Sequence, residues 1–257
     1  MLRQRAADHP EQTWLKWKGE RYLWGDVLSN IQRAANGLAE LGLRPGERVA
    51  LMMGNCPEFI WTHFAVAFLG AHSVPVNISQ RGPALQYILA DAEVTTVIVQ
   101  EDLRDLVVGL RPQLPTVRHT VVVGGKAGDG MDWDFDRVMD APDREPDVEV
   151  IEPSGGVGMM YTSGTTGPPK GVVATQYDTT PIQRLLESSG VRPGETMYTP
   201  LPLFHGNALF VSMIGSMLLD AQFALGERFS ASRFWDECRR YDAVEFNALG
   251  GMISTAS

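Results

Sequence analysis

Short apolar runs alternate with helix-periodic segments along the first half of the chain, and this alternation restricts the fold more than any other feature. The run at 49–53 is typical of a strand buried on both faces, and Pro57 is suited to the first turn of the helix that follows. Further strand-like runs lie at 74–76, 96–99 and 120–123. Repeated strand–helix units predict parallel strands joined by right-handed crossovers. We therefore expect an α/β fold of doubly wound, mostly parallel sheets flanked by helices.

Two segments near the start have a clear local pattern. Residues 13–22 place aromatic and apolar side chains on both sides of Lys18-Gly19-Glu20, which is typical of a short hairpin at the edge of a fold. From residue 27 apolar side chains recur at helical spacing, and Gly42 is placed to end that helix in a left-handed conformation. We expect the helix to cover a sheet. Later segments predict a helix around 85–89 and strands at 158–162 and 243–246.

Composition changes between residues 126 and 153, where Asp, Gly and Pro accumulate. Such a stretch suits a solvated connection, and a partner-binding tail is the alternative interpretation. The sequence therefore predicts a first α/β subdomain with its hairpin (1–126), an acidic linker (127–153) and a second α/β subdomain (154–257).

The overall charge and the cysteines exclude several classes of protein. Acidic side chains outnumber basic ones by 31 to 22, a formal net charge of -9, which argues against nucleic acid as a partner. Cys56 and Cys238 are far apart and lack metal-ligand spacing, so a reducing, cytoplasmic setting is expected. Because no apolar run approaches the ~20 residues of a spanning helix, we expect neither export nor integral membrane association.

A loop rich in glycine and hydroxyl groups follows the predicted strand at 158–162. Its glycines let the backbone approach a ligand closely, its hydroxyls supply hydrogen-bond donors, and Lys170 adds a mobile positive charge. Pro168-Pro169 stiffens the return of the loop. This combination predicts a cradle for a polyphosphate, and hence ATP binding. The candidate nucleotide-binding residues are Thr162, Ser163, Gly164, Thr165, Thr166, Gly167 and Lys170.

Three other interpretations of the sequence fit these residues less well. A plain polar surface loop would not gather so many glycines and hydroxyls directly after an apolar strand. A Walker A loop is excluded because Pro169 precedes Lys170 and Gly171 follows it, where a glycine and a serine or threonine are required. A dinucleotide-binding dehydrogenase would need a Gly-x-Gly-x-x-Gly turn after the first strand, and residues 54–57 do not provide one.

The segment YTSGTTGPPKG at 161–171 resembles the signature phosphate loop of adenylate-forming enzymes, which include acyl-CoA synthetases. Segments at 34–42, 44–51, 55–58 and 70–77 resemble the scaffold of the same family, in the same order. The corner at 200–207, PLPLFHGN, is similar to the family's next motif, between the ATP site and the acyl pocket. The resemblance thus spans most of the chain from about residue 13.

The resemblance implies an ATP-dependent acid–thiol ligase. Such an enzyme joins a carboxylate to the α-phosphate of ATP and then passes the acyl group to coenzyme A, with Mg²⁺ on the phosphates and Thr166 as its candidate contact. Since carboxylic acids are ionised at neutral pH, no catalytic base is needed, and no catalytic residue is assigned. The corner looks most similar to that of fatty-acyl or carnitine-type ligases. Its candidate substrate-binding residues are His205, Gly206 and Asn207, and Met213 and Met217 are candidates to line an acyl tunnel.

The chain is considerably shorter than the enzymes it resembles. It lacks counterparts of the later motifs that hold adenine, ribose and magnesium and of the mobile C-terminal lysine. We therefore expect the isolated chain to be inactive or weakly active. The alternative is a non-catalytic nucleotide-binding fragment or scaffold, and exposed apolar surface would favour a homodimer.

Overall fold

The computed structural model describes residues 1–147, 158–162, 168–174, 179–248 and 252. These residues belong to two compact units. One comprises Met1–Leu28, Gly54–Pro57 and Asp178–Ser257, and the other comprises Ser29–Met53 and Glu58–Tyr177. Each unit is built around its own mixed, mostly parallel sheet. The predicted α/β class is therefore confirmed.

The elements follow one another in the order expected of strand–helix repeats. The strands are β1 Thr13–Trp17, β2 Glu20–Leu23, β3 Arg48–Met52, β4 His72–Pro75, β5 Thr96–Gln100, β6 His119–Val123, β7 Trp133–Asp134, β8 Gly158–Thr162, β9 Lys170–Ala174, β10 Thr196–Thr199, β11 Gln222–Leu225 and β12 Ala243–Phe246. The α-helices are α1 Leu2–Asp8, α2 Trp24–Leu41, α3 Pro57–Phe68, α4 Gly82–Asp91, α5 Arg104–Leu110, α6 Phe135–Met139, α7 Thr180–Glu187, α8 Gly215–Leu218 and α9 Phe234–Arg240. Short 3₁₀ helices lie at Glu101–Leu103 and Arg111–Gln113, and a π-helix spans Asn207–Ile214.

The seven-stranded sheet has the order β7-β6-β5-β3-β4-β8-β9, and all of its neighbours are parallel except β8 and β9. Its central strand β3 is buried from Val49 to Met52, as the unbroken apolar run predicts for a strand covered on both faces. Helix α4 packs its buried side chains against one face of the sheet. The core on that face includes Ala50, Met52, Val74, Leu85, Ile88, Leu89, Val97 and Val99.

The five-stranded sheet has the order β12-β10-β11-β1-β2 and contains the predicted hairpin. Lys18 and Gly19 have φ values of 48° and 94°, which matches the two left-handed positions of a tight hairpin turn. The hairpin joins the sheet through β1, which runs parallel to β11 with Leu15 opposite Phe223. The indole of Trp14 is fully buried, stacks on Trp24 at 4.8 Å and donates to Ser216 Oγ at 3.0 Å.

Helix α2 ends as predicted. Gly42 has φ 101°, the Leu43 N–H donates to the Leu38 carbonyl, and the Gly42 N–H donates to the Ala39 carbonyl, both at 3.0 Å. These are the two hydrogen bonds of a Schellman motif, in which glycine carries the left-handed residue without steric cost.

The predicted linker at 127–153 is structured over much of its length. Strand β7 adds to the sheet beside β6, and helix α6 buries Phe135 and Val138. The acidic residues that indicated a linker have local roles, because Asp134 caps α6 by accepting a hydrogen bond from the Arg137 N–H at 3.0 Å. Residues 148–153 lie outside the described part of the chain.

The sheet pairings also group the chain differently from the predicted division at residues 126 and 153. The hairpin at 13–22 pairs with a strand beyond residue 220, while β8 and β9 extend the sheet of the preceding segment. Pairing between distant strands depends on tertiary contacts that local composition does not encode. Among the described residues, no helix is long and apolar enough to cross a membrane.

Candidate functional site

Strands β8 and β9 form an antiparallel ribbon that carries the predicted phosphate loop. Thr162 and Lys170 are the last registered pair of this ribbon, and both side chains are exposed. The ribbon therefore places a hydroxyl and an ammonium group opposite each other where the loop leaves and re-enters the sheet. The other candidate residues of the loop, Ser163, Gly164, Thr165, Thr166 and Gly167, lie outside the described residues.

The side chain of Tyr161 fixes the ribbon next to this pair. Its hydroxyl donates to Asp91 Oδ2 at 2.7 Å, and its ring lies beside Gly171 on the facing strand. A Cβ at Gly171 would come within 3.2 Å of the tyrosine hydroxyl, so glycine leaves the room that the ring needs. Burial and the Asp91 carboxylate raise the pKa of Tyr161 well above its usual range, so the phenol stays protonated and keeps donating.

The opposite end of the ribbon meets the sheet at Gly158, which is registered with Ser73 of β4. A Cβ at Gly158 would lie 3.3 Å from the Ser73 carbonyl, so the two strands approach closely at this point. Beneath it, Ser73 Oγ lies 2.8 Å from His63 Nδ1, and burial lowers the pKa of His63 to about 4. His63 is therefore a neutral core histidine at physiological pH, with a structural partner.

The corner at 200–207 belongs to the other compact unit and is held by the side chain of Asn55. The Asn55 amide donates to the carbonyl of Leu201 at 2.9 Å and to that of Gly226 at 2.8 Å, and it accepts from the Leu203 N–H at 2.8 Å. Asn55 is only 6% exposed. One buried amide thus joins three segments, two of which follow the carboxyl ends of the neighbouring parallel strands β10 and β11.

Asn55 lies in a segment that the sequence indicates only as scaffold, with no predicted part in the site. The available signal was an asparagine directly after a buried strand, since ligands in parallel α/β sheets bind at the carboxyl ends of strands. Its partners could not be identified from local sequence, because they lie 146 to 171 residues further along the chain.

His205 stands at the end of this corner. Its backbone N–H donates to the Pro202 carbonyl at 2.9 Å, its carbonyl accepts from the Leu209 N–H at 3.0 Å, and its ring packs on Phe204 with centroids 4.7 Å apart. The side chain remains exposed at its outer edge, yet the packing around the ring lowers the pKa of His205 below its usual value. At neutral pH the imidazole is therefore uncharged and offers one donor and one acceptor.

Gly206 and Asn207 begin the helical segment that follows. Gly206 occupies the N-cap position of this segment, with helical backbone angles and no side-chain capping hydrogen bond. Asn207 is the first residue of the π-helix, and its Oδ1 is buried without a partner among the described residues. π-Helical turns occur often at functional sites. Met213 and Met217, the candidate tunnel residues, are fully buried in the same unit.

The sequence model of the AMP-binding enzyme family matches residues 2–253 of the chain. The chain belongs to the AMP-binding enzyme family. Among curated members it is 28% identical over 260 residues to long-chain fatty acid transport protein 2 of Rattus norvegicus, covering 97% of this chain and 41% of the relative. It is 28% identical over 246 residues to crotonobetaine/carnitine–CoA ligase of Salmonella typhimurium, covering 91% and 46%. The chain thus spans less than half the length of these curated relatives.

Solved structures of AMP-binding enzymes have the same fold. The anthranilate CoA ligase AuaEII in complex with anthranoyl-AMP matches with a TM-score of 0.91 at 24% identity, over 99% of this chain and 50% of that one. The N-terminal domain of FACL13 from Mycobacterium tuberculosis matches with a TM-score of 0.86 at 28% identity, over 99% and 63%. The resemblance to the N-terminal portion of acyl-CoA ligases is therefore confirmed.

The described candidate residues of this member of the AMP-binding enzyme family form two groups, and each group lies on one element of the structure. Thr162 and Lys170 lie together on the ribbon, and His205, Gly206 and Asn207 lie together on the corner that Asn55 holds. Within the ranges that the structure describes, no group of three or more His, Cys, Asp and Glu side chains could hold a metal ion.

Proposed function

We propose that this chain is the nucleotide-binding and acid-binding portion of an AMP-forming acid–thiol ligase. It activates a carboxylic acid with ATP to give an acyl-adenylate, and the acyl group then passes to coenzyme A. The observation that carries the proposal is the exposed Thr162–Lys170 pair at the mouth of the glycine-rich and hydroxyl-rich loop. Membership of the AMP-binding enzyme family supports it.

The loop residues Thr162, Ser163, Gly164, Thr165, Thr166, Gly167 and Lys170 bind the phosphates of ATP. The carboxylate oxygen of the acid forms a bond to the α-phosphorus, the bond between the α-phosphorus and the bridging oxygen breaks, and pyrophosphate leaves. Because the nucleophile is already an anion at neutral pH, the protein needs to align two anions and neutralise charge rather than remove a proton. The ammonium group of Lys170 and the loop hydroxyls perform that neutralisation.

Magnesium fits this site as a companion of the phosphates. Mg²⁺ in proteins usually keeps several waters and takes one or two protein oxygens besides substrate phosphates, so a carboxylate cage is not required. A hydroxyl such as that of Thr166 is a suitable ligand, and the ion supplies further neutralisation of phosphate charge when bound.

His205, Gly206 and Asn207 bind the carboxylic acid. A neutral His205 donates a hydrogen bond to the acid or its acyl-adenylate without a full charge. Asn207 Oδ1, which has no hydrogen-bond partner among the described residues, offers an acceptor to a donor group of the ligand. The thiol of coenzyme A then attacks the acyl carbonyl, and AMP leaves. Relatives named for long-chain fatty acids and for carnitine support an aliphatic acid as the substrate and a role in fatty acid metabolism. The thiols of Cys56 and Cys238 suit a reducing, cytoplasmic setting.

Nucleotide binding and pyrophosphate exchange test this function. ATP is titrated into the chain by calorimetry, with pyrophosphate as competitor, and exchange of labelled pyrophosphate into ATP is followed with a panel of carboxylic acids. Acid-dependent exchange supports the ligase, at a rate well below that of a full-length relative because positioning needs the whole site. Binding without exchange favours a non-catalytic nucleotide-binding fragment, a candidate because the chain spans less than half of its relatives. Absence of binding rules out both.

Lys170→Ala is expected to weaken ATP binding about tenfold, because it removes a charge-assisted contact to phosphate. Since the side chain is exposed, the free energy of unfolding should be unchanged. The measurement is a calorimetric titration with ATP. Lys18→Ala is the matched control. Lys18 is also an exposed lysine, but both Lys18 and its ion-pair partner Glu227 belong to the unit that does not contain Lys170. Equal ATP affinity in Lys170→Ala and wild type would remove Lys170 from the phosphate site.

His205→Ala is expected to weaken binding of the carboxylic acid by about fivefold while changing ATP affinity by less than about twofold. The reason is that His205 donates to the carboxylic acid and does not belong to the phosphate loop. Titrations with the acid and with ATP measure the loss of affinity for each. His9→Ala serves as a control, because His9 is also an exposed histidine but lies far from residue 205 in the sequence. Equal weakening for both substrates, or loss of folding, would indicate a structural role.

A further inference from the structure

Among the described residues, the backbone register between the β8–β9 ribbon and β4 lies at the end of the ribbon away from the loop. Within this part of the chain, strand β8 is registered with β4 through the pair Ser73–Gly158, and β9 is the last strand of the sheet on that side. Thr162 and Lys170 lie four residues beyond this attachment, a distance of about 13 Å along the strand. The backbone ladder to the sheet therefore does not by itself set the direction in which the ribbon presents its loop.

Side-chain contacts hold the ribbon nearer to the loop. Met159 and Tyr161 pack against the apolar core of the seven-stranded sheet. Tyr161 also donates to Asp91 Oδ2 at 2.7 Å, and the second carboxylate oxygen lies 3.4 Å from the hydroxyl of Tyr87. A hydrogen bond from a phenol to a carboxylate is stronger than one between neutral groups.

Asp91 is well placed to act as a fixed point. It is the last residue of helix α4, which buries Leu85, Ile88 and Leu89 in the core and so cannot shift freely. Tyr161 immediately precedes Thr162, and successive side chains of a strand point to opposite faces. The contact that holds Tyr161 on one face therefore sets the orientation of Thr162 on the other.

We propose that Asp91 is a positioning residue for nucleotide binding: through its hydrogen bond with Tyr161 it fixes the end of the ribbon from which Thr162 and Lys170 reach the phosphates. This inference rests on the proposed function of the loop. Without the Asp91 contact the ribbon pivots about the Ser73–Gly158 pair, and Thr162 and Lys170 lose their alignment with the polyphosphate. Asp91 itself touches no substrate.

The test compares four variants of the 257-residue chain in calorimetric titrations with ATP and with pyrophosphate. Asp91→Ala and Tyr161→Phe each break the contact and are expected to weaken both ligands about fivefold. Asp91→Asn should restore most of the affinity, because its amide oxygen still accepts from Tyr161. Tyr87→Phe is the matched control, since it removes the more distant phenol on the same carboxylate, and it should bind like the wild type.

A double variant separates positioning from general destabilisation. If Asp91 acts through Tyr161, the combined Asp91→Ala and Tyr161→Phe chain should bind no more weakly than either single variant. Urea unfolding should show similar free energies for Asp91→Asn, Tyr161→Phe and wild type. Wild-type affinity in Asp91→Ala or Tyr161→Phe, additive losses, or an equal loss in Tyr87→Phe would overturn the inference alone. A wild-type chain that binds neither ATP nor pyrophosphate would overturn the proposed function and this inference with it.

Discussion

Replacing Asn55 with alanine is expected to lower the free energy of unfolding of its unit by about 3–5 kcal/mol. The substitution deletes three hydrogen bonds of 2.8–2.9 Å and leaves the Leu201 and Gly226 carbonyls and the Leu203 N–H unpaired in buried surroundings. Leaving buried polar groups unpaired costs more than losing the same bonds in water. Urea unfolding followed by circular dichroism measures the change, and faster hydrogen exchange at the Leu203 amide locates it.

Asn36→Ala is the matched control for this experiment. Asn36 also donates to two backbone carbonyls, those of Pro142 and Arg144 at 2.7 and 2.9 Å, but these bonds are exposed to solvent. Water can replace them, so the cost should stay below about 1 kcal/mol. Similar losses in the two variants would mean that burial of the Asn55 amide is not what makes it important. Because Asn55 holds the corner that carries His205, its loss should also weaken binding of the carboxylic acid.

Gly37→Ala is expected to destabilise the other unit by about 3 kcal/mol. A Cβ at this position of α2 would lie 2.1 Å from the carbonyl oxygen and 2.8 Å from the carbonyl carbon of Val138. These are backbone atoms of α6, so the steric overlap can be removed only if one helix shifts against the other. The steric cost outweighs the roughly 1 kcal/mol that alanine gains over glycine inside a helix. Chemical denaturation gives the sign and size of the change.

Gly109→Ala is the matched control in the same unit, and it is expected to stabilise that unit rather than destabilise it. Gly109 lies in α5, and a Cβ there would meet nothing within 4 Å. Only the helix propensity changes, so this variant should be more stable by about 0.5–1 kcal/mol. If Gly37→Ala were instead stabilising, α6 would not pack closely on α2. The segment around Val138 would then be the solvated connection that its composition predicts.

Local features of the fold could be predicted from sequence because their causes are local. The hairpin turn at Lys18-Gly19 needs two left-handed residues, and the end of α2 needs one at Gly42; in each turn glycine marks a position that demands such angles. The strand at Gly158–Thr162 has the predicted bounds. Strand β7 and helix α6 were not predicted because both are very short. Helix α6 buries only Phe135 and Val138, and the many Asp and Gly residues around it give the segment the composition of a loop.

In the candidate site, too, the residues that act within one short segment could be predicted and those with distant partners could not. The phosphate loop could be recognised because its glycines, hydroxyls and lysine are consecutive, so one short segment displays the whole chemistry. Asn55 and Asp91 could not, because each acts on a segment far along the chain, and Tyr161 lies 70 residues from Asp91. An asparagine or an aspartate alone is an ordinary loop or helix-end residue until its partner is known. The π-helix at Asn207–Ile214 likewise could not be predicted, because apolar spacing does not distinguish a π-helix from an α-helix.

The parallel pairing of β1 with β11 also determines when each unit can form during synthesis. Strands β3 to β6 emerge within roughly 75 residues of one another and can assemble early, whereas Leu15 must wait for Phe223, roughly 200 residues later. At translation rates of about 5–20 residues per second, that interval is on the order of 10–40 s. Throughout it, Trp14 and Leu15, which end fully buried, have no β11 to pack against. Trp14 and Leu15 are therefore made before most of the described residues, yet they are among the last of them to reach their buried positions.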